Sequence, residues 1–239
     1  MPSGFTLIEL LITLGIISIL VAIAATALNR GRTSAQRTRC ASQIRQWGIA
    51  SHLYWEDNLG RSFRYQLGST NGGSLYWFGW LQSGQEGSRQ FDPSQGVLFP
   101  YIRDPILAFC PSIRDATQQL KHKAATLTPG YGYNLHLAPS APDATLNIDS
   151  LSEPSRIILF SDAAQINTFQ PPASPSNPML EEFYYVNANE ATAHFRHLRT
   201  ANVVHVDGHV TPVPFLENSI DLRMPRAFVG KLQPSNLIP

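Results

Sequence analysis

The sequence predicts an α+β fold, with a long N-terminal transmembrane helix packed by its later half on a head that contains an antiparallel sheet. Three observations carry this reading. The chain opens on an apolar run of 24 residues, Phe5 to Leu28, broken by a single charge at Glu9. A narrow apolar stripe of helical period follows, in a stretch free of proline from Ser3 to Asp92. Far downstream, Asp207-Gly208 stands between two β-branched runs, the strongest short hairpin signal a sequence can give. The remaining composition agrees with a folded head, since 43% hydrophobic and 15% charged residues in 239 exclude a disordered or fibrous chain.

The apolar run measures about 36 Å as a helix at about 1.5 Å per residue, enough to cross a bilayer core of about 30 Å. It is longer than the apolar part of a secretory signal peptide, which runs to about 15 residues and ends at a small-residue cleavage site. A carboxylate inside it is costly, so Glu9 should meet a basic partner. Thr13, Gly15, Ser18 and the stretch from Ala22 to Ala27 supply small positions at which neighbouring helices can approach closely.

Beyond the span, Cys40, Ile44, Trp47, Gly48, Ser51, Tyr54 and Trp55 fall on one face at a 3.6-residue period. Arg37, Arg39, Gln43, Arg45 and Gln46 take the other faces. The helix is expected to run from Phe5 to about Asp57, with Asn58-Leu59-Gly60 as its stop signal. Four segments result: a leader at 1–4, a transmembrane helix at 5–29, its amphipathic continuation at 30–59, and a globular head at 60–239. Lys and Arg number 18 against 17 acidic residues, so no global field favours nucleic acid. Locally, seven arginines lie between residues 30 and 64 against Glu56 and Asp57 alone.

In the head, Leu75-Tyr76-Trp77-Phe78-Gly79-Trp80 reads as a strand or turn packed on the helix stripe rather than as a sugar-binding platform. Residues 91–105 read as a short helix and loop. Tyr131 to Leu135 and Arg156 to Asp162 read as strands, residues 171–178 as a proline-rich loop, and 212–239 as a proline-punctuated tail.

The residues Gly4-Phe5-Thr6-Leu7-Ile8-Glu9-Leu10-Leu11 resemble the type IV pilin leader junction. The resemblance implies cleavage between Gly4 and Phe5 by a prepilin peptidase, N-methylation of Phe5, and pairing of Glu9 with the terminal amine of a neighbouring subunit. Two features depart from the pattern. Met1-Pro2-Ser3-Gly4 carries no Lys or Arg, whereas Arg30 and Arg32 follow the span. Charge bias alone would keep the head in the cytoplasm; the leader motif places it outside and suggests that translation starts upstream. The end of the span also lacks the proline that kinks many pilin helices.

His197, nine residues, Asp207-Gly208 further resembles a C-terminal signature found in a large group of pilin-like proteins with this leader. Thr38 to Gln46, Phe109-Cys110-Pro111-Ser112, Tyr131 to Asn134 and Ser155 to Asp162 match that group's other segments in order. The implied protein is a filament subunit of a type IV pilus or a type II secretion pseudopilus. Its implied partners are the prepilin peptidase, other pilin-like subunits in a homo- or hetero-filament, the inner-membrane assembly platform and membrane lipid. Its place is the inner membrane, single-pass, with the head in the periplasm or outside the cell. The alternative is a membrane-anchored extracytoplasmic binding protein that forms no filament.

No chemistry is expected. Nucleophile elbow, phosphate loop, dinucleotide glycines and His-Glu-x-x-His are all missing from the sequence, so neither an enzyme nor a cofactor is predicted. His194, His197, His205 and His209 invite a metal, but a two-residue hairpin centred on Asp207-Gly208 puts His205 opposite Val210 and thus on the face opposite to His209. Asp162 and Asp207 could serve calcium, without a carboxylate-rich loop to complete a site. The expectation is no metal. His197 is expected to be a buried imidazole that bonds loop backbone and steadies the hairpin. Cys40 and Cys110 either form one bridge outside the cytoplasm or lie as two separately buried thiols. A bridge closing about 70 residues contributes about 4 kcal/mol in the chain-entropy model.

Overall fold

A computed structural model describes residues 6–102, 110, 112–115, 120–126, 129–139 and 146–239. Gly4 and Phe5, the residues of the expected cleavage and methylation, lie outside the described residues. The chain forms two compact units, Met1–Thr38 and Arg39–Pro239.

From Leu7 onward the first unit is helical. Helix α1 spans Leu7–Asp57, and its first part is apolar and exposed on every side: Leu7–Ala25 has a mean hydropathy of 2.7 and buries nothing. A soluble protein would hide such a surface, so these residues have the length and composition of a membrane span.

In the second unit, the end of α1 behaves as its periodicity predicts. Cys40, Ile44, Trp47, Ser51 and Trp55 are buried, while Arg39 and Arg45 are exposed. Gln43, expected on a polar face, is instead buried, and its side-chain oxygen is 3.4 Å from the Tyr131 hydroxyl. The helix stops at Asp57, where Leu59 and Gly60 turn left-handed (φ 58° and 75°) and Gly60 N–H donates to the Trp55 carbonyl at 2.8 Å.

Fourteen short strands follow among the described residues. Strands β1 (Gln66–Thr70), β2 (Gly73–Tyr76), β3 (Gly79–Gln82) and β4 (Phe91–Asp92) form an antiparallel meander. Next come β5 (Leu120–Lys121), β6 (Tyr131–Asn134), β7 (Ile158–Asp162), β8 (Ala164–Asn167), β9 (Met179–Glu182) and β10 (Tyr185–Val186). The series ends with β11 (Ala193–His194), β12 (Thr200–His205), β13 (Val210–Pro214) and β14 (Val229–Gly230). The main sheet has the order β10-β6-β7-β12-β13, antiparallel except for β10 beside β6. Smaller sheets are β5-β9-β8 and β11-β14.

Strands β6 and β7 are buried at every position, which explains their near-continuous apolar and aromatic sequence. The core joins the helix stripe to this sheet through aromatic contacts, with Trp77 4.9 Å from Trp47 and 4.8 Å from Phe160 between ring centroids. Trp77 and Phe78 are buried, so the aromatic cluster of residues 75–80 is core rather than platform.

Gly48 sets the closeness of helix to sheet. A Cβ there would stand 2.7 Å from Val204 Cγ2 on β12. Gly48→Val is therefore expected to lower stability by about 2 kcal/mol through overpacking. Val204→Ala in the same chain should restore much of the loss, read as urea midpoints of the single and double variants.

Candidate functional site

Two regions place the residues that the sequence singles out. At the start of α1, Thr6 caps the helix. The Thr6 N–H and hydroxyl donate to Glu9 Oε2 at 2.9 and 2.8 Å, and the Glu9 N–H approaches Thr6 Oγ1 at 3.3 Å. This is the reciprocal Thr-x-x-Glu capping box, a second role for Glu9 that the spacing Thr6-Leu7-Ile8-Glu9 spells out and the charge argument alone overlooks. Within one protomer, capping thus occupies one of the two carboxylate oxygens.

The second region is the buried centre of the main sheet. Asp162 ends β7 with no exposed surface, and its partners come from a segment more than thirty residues away. Arg196 Nη2 donates to Asp162 Oδ1 at 2.6 Å and to the Gly130 carbonyl at 2.8 Å. The backbone N–H of Asn202 donates to Asp162 Oδ2 at 2.7 Å, and His197 Nε2 lies 3.3 Å from the same oxygen. Both carboxylate oxygens are thereby engaged within the protein, so Asp162 is a structural anion rather than an open calcium ligand.

The imidazole of His197, expected to bond loop backbone, meets a carboxylate and a sulfur. Its Nε2 also stands 3.6 Å from Cys110 Sγ, and the structure brings the Cys40 and Cys110 sulfurs to bonding distance with their Cα atoms 5.2 Å apart. The His197 backbone pairs with Thr200 around Leu198 and Arg199, both in left-handed conformation (φ 55° and 65°), so the histidine sits at the mouth of a tight turn that feeds β12. The guanidinium of Arg199 lies over the rings of Phe215 and Phe228 at 5.6 and 5.4 Å.

The Asp-Gly hairpin forms, but one residue out of the expected register. Val204 pairs with Val210 and Val203 with Thr211, which leaves Val206, Asp207 and Gly208 as a three-residue loop. A two-residue type I′ turn needs positive φ at both Asp207 and Gly208; only Gly208 has it, at 87°. The Gly208 N–H donates to the His205 carbonyl at 2.9 Å, as in a type I turn closed by a left-handed glycine. The shift places His205 across from His209 on one face. Their rings stack at 4.0 Å with an interplanar angle of 5°, correcting the expectation that alternation separates them. His205 Nε2 lies 2.9 Å from Thr211 Oγ1, and His209 Nδ1 lies 2.5 Å from Asp207 Oδ1.

Burial drives the His205 pKa down from 6.5 to about 4, with His209 adding to the effect. His194, fully buried and next to Arg196, is likewise held well below its ordinary value, first by burial and then by that guanidinium. For both histidines the folded state binds its proton less readily than the unfolded state does. The contribution of His205 is therefore complete above about pH 6.5 and is lost as the pH falls toward 4, and that of His194 has the same sign. A titration of unfolding free energy is expected to rise with pH across this window, and His205→Gln should flatten part of that slope.

A third group of charges escaped the sequence reading. Lys121 is buried and bonds both Glu86 and Glu181, while Lys123 reaches Glu86 at 3.6 Å and Glu181 at 3.4 Å. Arg89 pairs with Glu86 at 2.7 Å. Positive and negative members alternate here, so the arrangement binds three chain segments together and offers no set of free carboxylates.

Residues 2–25 match the family model for the prokaryotic N-terminal methylation motif. Together with the exposed apolar helix, this supports a type IV pilin-like protein that a prepilin peptidase processes. No curated protein and no solved structure matches the chain. The matched residues include Gly4, Phe5, Glu9 and the apolar helix as far as Ala25, and the residues from His197 to Gly208 lie beyond them.

Proposed function

We propose that the chain is a structural subunit of a filament, either a type IV pilus or a type II secretion pseudopilus. A prepilin peptidase cuts after Gly4 and methylates Phe5, and the subunit then leaves the inner membrane for the filament. The observation that carries this reading is a wholly exposed apolar helix with one carboxylate, Glu9, at its start, inside a methylation motif. In hydrocarbon a lone carboxylate is unfavourable by a few kcal/mol on insertion scales, and the amine of a neighbouring Phe5 removes that penalty only at the correct axial offset. Glu9 then sets register while the small residues of the span permit close helix packing.

In this reading the head works outside the cytoplasm, where Cys40 and Cys110 form a disulfide that ties α1 to the segment beside His197.

The test is the intact mass of the membrane-purified protein from cells with and without an active prepilin peptidase. Loss of Met1 to Gly4 together with gain of one methyl group, only when the peptidase is present, supports the pathway. An uncleaved chain in the presence of active peptidase refutes it and turns attention to an anchored binding protein.

A further inference from the structure

The sulfurs of Cys40 and Cys110 and Nε2 of His197 all lie within 4.8 Å of one another, and the three residues are buried. We propose that the thiol form of the chain binds one zinc ion through these three side chains, so that Cys40 and Cys110 have two alternative states, metal-bound when reduced and disulfide-bonded when oxidised.

Distances support the site. Zinc bonds of about 2.3 Å to sulfur and about 2.05 Å to nitrogen, in a tetrahedron, put sulfur and nitrogen about 3.6 Å apart and two sulfurs about 3.8 Å apart. Cys110 Sγ is 3.6 Å from His197 Nε2. That edge is in place, the edge from Cys40 Sγ to His197 Nε2 is no longer than 4.8 Å, and the sulfur–sulfur edge opens once the bond between them is absent. Asp162 Oδ2, 3.3 Å from the same nitrogen and already bonded by the Asn202 N–H, stands beside the three ligands rather than among them. Its carboxylate is held beside the site by Arg196 and the Asn202 N–H.

Charge supports it as well. With the disulfide closed, Asp162 and Arg196 cancel. With zinc bound, two thiolates and Asp162 are matched by the divalent ion and Arg196, so the buried centre is neutral in both states. Loading breaks no covalent bond other than two S–H bonds: two zinc–sulfur bonds and one zinc–nitrogen bond form, and two protons leave to solvent. Opening an existing disulfide requires a two-electron reductant, such as a phosphine that takes up the oxygen of water and leaves two thiols.

The proposal does not depend on filament assembly. The test uses the full chain in detergent, prepared anaerobically with a phosphine reductant, and cobalt(II) as the probe. One equivalent is expected to give the ultraviolet sulfur-to-cobalt charge-transfer band and the visible bands of a tetrahedral ion, both abolished by one equivalent of zinc. The oxidised chain should give neither. Cys40→Ser should weaken the charge-transfer band, and His197→Ala should lower zinc affinity at least tenfold while keeping it. Zinc should also raise the melting temperature of the reduced chain and leave that of the oxidised chain unchanged. A reduced chain without the charge-transfer band, or metal uptake equal in reduced and oxidised chains, overturns the proposal whether or not the variants fold.

Discussion

Glu9→Gln is expected to abolish filament formation while leaving α1 and its membrane insertion intact. The substitution separates two roles that coincide in one side chain. Glutamine at this position still accepts the Thr6 N–H through its amide oxygen, as the capping box allows either residue, so the start of the helix stays closed. What is removed is the charge. In the filament the terminal amine of a neighbouring Phe5 then lies in hydrocarbon without a counter-ion, at a penalty of about 3 kcal/mol per subunit, or on the order of a hundredfold at each addition step. Sheared filaments collected by centrifugation should fall below detection, while the membrane fraction keeps its normal amount of processed protein. Thr6→Ala gives the converse, weakening the cap by about 1 kcal/mol while keeping the charge, and filaments should persist. Filaments at wild-type yield from Glu9→Gln would reduce Glu9 to a helix cap and remove the register argument.

How much of this was readable in the sequence depends on whether the signal is local. The long apolar helix, the stripe from Cys40 to Trp55 and the stop at Asp57 follow from periodicity and from residues within a few positions, and the structure has all three. Gln43 was misplaced because a stripe argument sees residue type and not the Tyr131 hydroxyl waiting 88 residues away. The hairpin was recognised by Asp207-Gly208, yet its register depends on whether one or two residues adopt positive φ, and the dipeptide permits both. One unit of register decides whether His205 and His209 stack or separate. Nothing local announces the pairing of Asp162 with Arg196 or of Lys121 with Glu181; the strands that bring them together are neighbours only in the folded sheet.

Those long-range pairs also explain why the segment from His197 to Gly208 serves architecture. Arg196 and His197 act on Asp162 from one end of the segment, and the Asn202 N–H acts on it from β12. The turn at Leu198 and Arg199 must close for all three to reach the same carboxylate. The nine residues between His197 and Asp207 span one turn, strand β12 and the start of the next turn, and within that length the chain delivers its donors to Asp162 before it reverses.

Arg196→Met is accordingly expected to be the most damaging single change in the head. It keeps much of the side-chain volume and removes the guanidinium, leaving Asp162 buried with the Asn202 N–H and the His197 imidazole as its remaining neighbours. Losing one member of a buried ion pair lowers stability by about 3–5 kcal/mol, because the other charge can no longer be solvated. The Gly130 carbonyl, which leads into β6, also loses one of its two donors and keeps the Ala163 N–H at 3.0 Å. Asp162→Asn in the Arg196→Met background should recover part of the loss, because a neutral amide still accepts from Asn202 through its oxygen. Urea denaturation of wild type, both single variants and the double variant forms a double-mutant cycle that isolates the coupling. A coupling below about 0.5 kcal/mol would mean that the pair contributes no more than an exposed salt bridge does. The architectural reading of the His197 segment would then rest on its turn and hairpin alone.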